Sequence, residues 1–123
     1  MVKEAHADPL VIEAVIEGYK VSRVLVDTGS SINMICKSAF DQLEVHPSRV
    51  QSVSAPIAGI GGFAGNSLGD VKLDVQLGRE DGPVFRADLE FVVSDLKTGY
   101  NVILGRPFLC GYATTISPLY MVL

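Results

Sequence analysis

A chain of 123 residues is long enough for one domain with a modest core. Hydrophobic residues make up 48% of it, which excludes a disordered chain. The net charge of −4, from 10 basic and 14 acidic residues, argues against nucleic acid as a partner. In chain order, the apolar pattern repeats mostly every second residue, so the elements are strands. Leu10 to Ile16 is the first. Glu17-Gly18-Tyr19-Lys20 reads as a turn, and Val21 to Val26 as the returning strand. Ile32 to Ile35 is a short apolar strand. Lys37 to Leu43 suits one or two helical turns, with Ala39, Phe40 and Leu43 on one face, and His46-Pro47-Ser48 ends it. Val50 to Ile57 is extended, with Pro56 marking an edge.

Five of the 12 glycines fall between Gly59 and Gly69. Beyond them Val71, Leu73, Val75 and Leu77 alternate with Lys72, Asp74 and Gln76, a strand with one wet face. Asp81-Gly82 signals a hairpin. Phe85, Ala87, Leu89 and Phe91 alternate with Arg86, Asp88 and Glu90. Val102-Ile103-Leu104 is a short strand closed by Gly105. Arg106 to Tyr112 suits a short helix with Pro107 in its first turn. Ala113 to Leu123 is an extended, apolar tail. No linker divides the chain, so residues 1–123 read as a single domain. Cys36 and Cys110 form no CxxC pair, and with two histidines they argue against a zinc site; free thiols in a reducing compartment fit better than a disulfide. No apolar run reaches the ~18 residues of a membrane span, and the N-terminus has no signal-peptide core, so the expectation is a cytoplasmic protein without a membrane partner.

Two segments carry chemistry. In Val24-Leu25-Val26-Asp27-Thr28-Gly29-Ser30-Ser31, an apolar run delivers one aspartate into a glycine turn followed by hydroxyls. That arrangement presents a carboxylate at the floor of a cleft. The triplet Asp27-Thr28-Gly29 alone also suits an exposed turn; the strand-like pattern on both sides favours catalysis. Gly59-x-Gly61-x-x-Ala64 superficially matches a dinucleotide fingerprint, but a strand follows where that motif needs a helix. A mobile glycine hairpin, able to close over an extended ligand, is the better reading.

Together with Ile103-Leu104-Gly105-Arg106, and in this order, the Asp segment and Ala58-Gly59-Ile60-Gly61-Gly62-Phe63 resemble the retropepsins. These are the aspartic proteases of retroviruses and long-terminal-repeat retrotransposons. The flanks His6-x-Asp8-x-Leu10-Val11-Ile12 and Tyr100-Asn101-x-Ile103-Leu104-Gly105-Arg106-Pro107 look most like the gypsy-type elements of plants. The resemblance covers nearly the whole chain. It implies an all-β fold: a closed β-barrel forming half of an acid protease, with a glycine-rich flap hairpin and one short C-terminal helix. It also implies a homodimer of the A2 peptidase type without a cofactor. Its polypeptide substrate would be a retroelement Gag-Pol polyprotein, processed in the cytoplasm or within virus-like particles.

The same resemblance assigns roles. Asp27 from each of two chains would hold one water. Thr28 would brace the pair, Gly29 would offer its carbonyl to substrate, and Ser30 would donate to the outer oxygen of Asp27. Gly59, Ile60, Gly61 and Gly62 would form the flap tip. Leu25, Ile32, Ile60 and Ile103 would wall the pockets, implying bulky apolar side chains at the cut bond. Ile103, Leu104 and Gly105 would pack behind the Asp loop, and the apolar tail would supply an interface strand. Ser31 stands where retroviral enzymes often carry a second acid, so the usual partner of Arg106 is missing. The competing expectation is a catalytically silent retropepsin-like module that dimerises or binds peptides.

Overall fold

The computed structural model describes residues 10–51, 56–60, 63–78, 82 and 84–109. The expected flap-tip residues Gly61 and Gly62, Cys110 and the tail at 113–123 lie outside them. Strands β1 (Leu10–Ile16) and β2 (Tyr19–Val26) form an antiparallel hairpin. Their turn is Glu17-Gly18 alone, shorter than the four residues expected. Both take positive φ, 53° and 84°, the geometry whose twist joins two antiparallel strands through two residues. β3 (Met34–Cys36) starts later than expected, leaving Ile32 and Asn33 to the preceding loop. α1 (Lys37–Gln42) and a 3-10 turn (Pro47–Arg49) follow. Then come β4 (Pro56–Ile60), β5 (Phe63–Gly78), β6 (Val84–Ser94) and β7 (Val102–Leu104). A single helical turn spans residues 106–109; the rest of the helix expected to Tyr112 is outside the described residues.

Six of these strands close on themselves in the order β1-β2-β7-β3-β6-β5, with Val15 of β1 pairing Gln76 of β5 to seal the barrel. Closure leaves the six no free edge. Among the described residues β4 pairs only with β5, as a hairpin whose last pair is Ile60 with Phe63. Alternation decides what faces inward. Ile12, Ala14 and Ile16 of β1, Val71, Leu73, Val75 and Leu77 of β5, and Leu89, Phe91 and Val93 of β6 all enter one buried cluster. Phe108 of the final helical turn closes it, edge-on to Phe85 with ring centroids 6.1 Å apart.

β7 runs between β2, its parallel neighbour, and β3, its antiparallel one, and is buried on both faces. Val102 and Leu104 face the barrel interior, while Ile103 joins Leu25, Met34 and Leu96 in a second, smaller cluster outside it. Arg49 ties the 3-10 turn to the barrel. Its guanidinium grips both carboxylate oxygens of Glu17, at 2.8 and 3.0 Å, and donates to the Lys72 carbonyl at 2.8 Å. Glu17 also accepts from the Asp74 amide at 2.7 Å. The hydrogen bond from Arg49 holds the Glu17 carboxyl below its ordinary value, against the opposing effect of burial. No helix among the described residues is long and apolar enough to cross a membrane.

Candidate active site

The loop after β2 carries Asp27, and β7 forms its floor. The Asp27 amide donates to the Leu104 carbonyl, and the Arg106 amide donates to the Ser30 carbonyl, each at 2.9 Å. Two hydrogen bonds thus hold the loop at both ends to the segment around Gly105. The approach is close enough to require glycine. A Cβ at Gly105 would collide with the backbone carbonyls of Ile32 and Ser30, the latter at 2.7 Å. Leu104, Gly105 and Arg106 thus meet the loop through the backbone.

Within the loop, the Gly29 amide donates to Asp27 Oδ1 at 2.9 Å, and the Ser30 amide donates to the Asp27 carbonyl at 3.3 Å. Asp27 is half-buried, while Thr28, Gly29 and Ser31 are exposed. The carboxylate is thus fixed by its own turn and still open on one side. Ser30 behaves differently from expectation. Its side chain is fully buried, and its hydroxyl donates to the Ile32 carbonyl at 2.7 Å instead of to Asp27. The reason is local: the chain curls back at Ser31, so the nearest acceptor is the Ile32 carbonyl, whose own amide also approaches the hydroxyl at 3.4 Å. Ser30 shapes the loop and does not reach the carboxylate.

The residues expected as pocket walls separate into two groups. Leu25 and Ile103 are 8% and 2% exposed, inside the smaller cluster. Ile32 is half-buried and lines a cleft of about 350 Å³ with Asn33, Leu89, Val92 and Pro107. Asp70, Asp88 and Glu90 line it too. Asp70 Oδ1 is buried without a hydrogen-bond partner among the described residues, and burial, followed by the neighbouring Glu90 charge, pushes its carboxyl up. Gly59 and Ile60 lie on β4 of the outlying hairpin. Arg106 is exposed, and among the described residues its guanidinium forms no ion pair.

Sequence reasoning missed Asn33. It is 5% exposed and bonds at both ends of its amide. Nδ2 donates to the Glu90 carbonyl at 3.1 Å, and Oδ1 accepts from the Gly105 amide at 2.9 Å. The available signal was a lone polar residue inside the apolar run Ile32-Asn33-Met34-Ile35, because a buried amide must find partners.

An ionised carboxylate can take a proton but has none to give. Comparison with known proteins narrows what the loop is for. A family model described as aspartyl protease matches residues 12–108. No curated protein sequence matches the chain. Among solved structures, the EIAV protease complexed with the inhibitor HBY-793 superposes with a TM-score of 0.64 at 18% identity, over 89% of this chain and 93% of that one. A retropepsin-like aspartic protease from Rickettsia conorii gives 0.59 at 18%, over 85% and 79%. The retroviral protease-like domain of Ddi1 from Leishmania major gives 0.56 at 15%, over 87% and 80%. At these identities the likenesses establish the retropepsin fold.

Proposed function

Since the chain belongs to the aspartyl protease family, we propose that it is a homodimeric aspartic endopeptidase in which Asp27 of two copies forms the catalytic pair. The observation that carries this reading is the loop itself. It presents one half-buried carboxylate flanked by exposed residues, on a chain with a single Asp-Thr-Gly triplet. The second carboxylate then comes from a symmetry mate in a C2 dimer.

Two carboxylates about 3 Å apart share one proton and titrate as a unit. The ionised member takes a proton from the water between them, and the water oxygen attacks the scissile carbonyl carbon. The protonated member donates to the carbonyl oxygen. The carboxyl that took the water's proton passes it to the amide nitrogen, its partner takes one back from a hydroxyl of the diol, and the C–N bond breaks to leave the pair with its one shared proton. Thr28, exposed in one copy, meets its counterpart across the axis and braces the pair. Gly29 offers its carbonyl to the substrate backbone. The β4–β5 hairpin acts as a flap over an extended polypeptide, and Ile32 contributes to a pocket for bulky apolar side chains. The A2 peptidase type, a plant gypsy-type origin and a Gag-Pol polyprotein substrate are parts of the same proposal, as is action in the cytoplasm or in virus-like particles. The shared proton gives an acidic optimum, below about pH 7, to which Ser30 does not contribute because its hydroxyl is committed to Ile32.

The test is cleavage of an unfolded protein between about pH 4 and 6 by wild type and by Asp27→Asn. Cleavage by wild type only, with a rate falling toward neutral pH, is the expected result. Equal activity from both sinks the peptidase reading. Dimers of both that cut nothing support the silent module.

A further inference from the structure

Asn33 stands where the catalytic loop, β7 and β6 meet. Gly105, whose amide it accepts, is the residue between the two anchors of the loop: Leu104, which holds the Asp27 amide, and Arg106, which holds the Ser30 carbonyl. The other end of the Asn33 amide is fastened to Glu90 on β6, and its backbone carbonyl accepts from Val92 at 2.9 Å. Gly105 is buried, so a shift of its peptide cannot be absorbed by solvent. The Ile32 and Ser30 carbonyls are in close approach on its Cα side.

We infer that Asn33 is a positioning residue for the hydrolytic reaction: through Gly105 and its two neighbours, its amide fixes where the Asp27 carboxylate is presented. This rests on the reading of the chain as a peptidase. The site requires a donor toward Glu90 and an acceptor toward Gly105 at the same time, which asparagine supplies and an ionised aspartate does not. A protonated aspartate supplies both. Burial raises the pKa of an introduced carboxyl. The ionisable groups lining the cleft beside residue 33, Asp70, Asp88 and Glu90, are all acidic and push it the same way. A misplacement of about 1 Å at a catalytic group costs on the order of a hundredfold in rate. A merely structural amide would cost stability and leave the rate of each folded molecule unchanged.

The experiment compares Asn33→Leu, which keeps the branching at Cγ and removes both polar atoms, and Asn33→Asp with wild type on one peptide substrate. The folded fraction is measured by circular dichroism, and active sites are titrated with a statine-type inhibitor. For Asn33→Leu, kcat per active site falls about tenfold or more while KM stays within about threefold. For Asn33→Asp, the ratio of variant to wild-type kcat stays within about threefold near pH 4 and falls about tenfold further by pH 7, as the introduced carboxyl ionises. Unchanged kcat per active site in both variants, a loss carried wholly by KM, or an Asn33→Asp ratio flat with pH overturns the inference. If Asn33→Leu does not fold, the pH course of Asn33→Asp decides alone. A wild type no more active than Asp27→Asn removes the peptidase reading and this role with it; an active wild type beside fully active Asn33 variants removes this role only.

Discussion

The barrel interior and the Asp loop sit on adjoining parts of β2, β7 and β3, yet they are held by different forces. Alternate residues of these strands point to opposite sides. Val24, Val102, Leu104 and Ile35 enter the large interior cluster, whereas Leu25, Ile103 and Met34 enter the small outer one. The interior is apolar and closed on all sides, so area removed from water stabilises it. The loop has little burial of its own and keeps its shape through a few directional hydrogen bonds around Gly105, Ser30 and Asn33. Stability is thus concentrated in the barrel and geometry in the loop. Substitutions in the two regions should separate along those lines.

The largest expected stability effect lies in the interior. Phe91→Ala, at a fully buried position, should cost about 3–5 kcal/mol by chemical denaturation. At the loop floor, Gly105→Ala drives a methyl into two backbone carbonyls. It should cost about 1–3 kcal/mol and abolish cleavage by the molecules that still fold. Retained activity would show that the loop tolerates displacement, and the contrast between the regions would fail.

Two carboxylates, Glu17 and Asp70, give smaller effects with opposite pH dependence. Glu17→Gln removes the ion pair with Arg49, whose side chain is 43% exposed against 18% for Glu17, so the cost is about 1 kcal/mol after screening. The folded carboxyl titrates below its ordinary 4.5. The contribution is therefore present above that pH and is lost as pH falls through the lower, folded value. Asp70 runs the other way. Its folded value is raised above 3.8, so the folded state is penalised once pH rises through that raised value. Asp70→Asn should stabilise by about 1 kcal/mol at neutral pH, with the gain vanishing in acid. Melting temperatures across pH check both signs.

Much of the barrel was legible because a strand with one wet face writes its orientation into every second residue. Leu10–Ile16 was bounded correctly, and the alternation of Val71 to Leu77 correctly named the inward side. Alternation says less where both faces are buried. Nothing in Val-Ile-Leu at 102–104 tells which residue meets the barrel interior and which the outer cluster. The position of Asp27 in the turn was legible from local chemistry, since a glycine turn after an apolar strand exposes what it carries. Ser30 and Asn33 were not, because their partners are set by the curl of the loop and by strands far along the chain. The hydrogen bond from the Gly105 amide to Asn33 spans 72 residues, and no spacing rule reaches that far.

The central claim, that one catalytic centre takes Asp27 from two chains, is tested most directly by mixing. Wild type is denatured together with Asp27→Asn in varying proportion, refolded and assayed at constant total concentration. If each site needs two intact aspartates, activity follows the square of the wild-type fraction, so an equal mixture retains about a quarter of the activity. Activity proportional to the wild-type fraction itself would mean that a single chain carries a complete site, contradicting the shared pair.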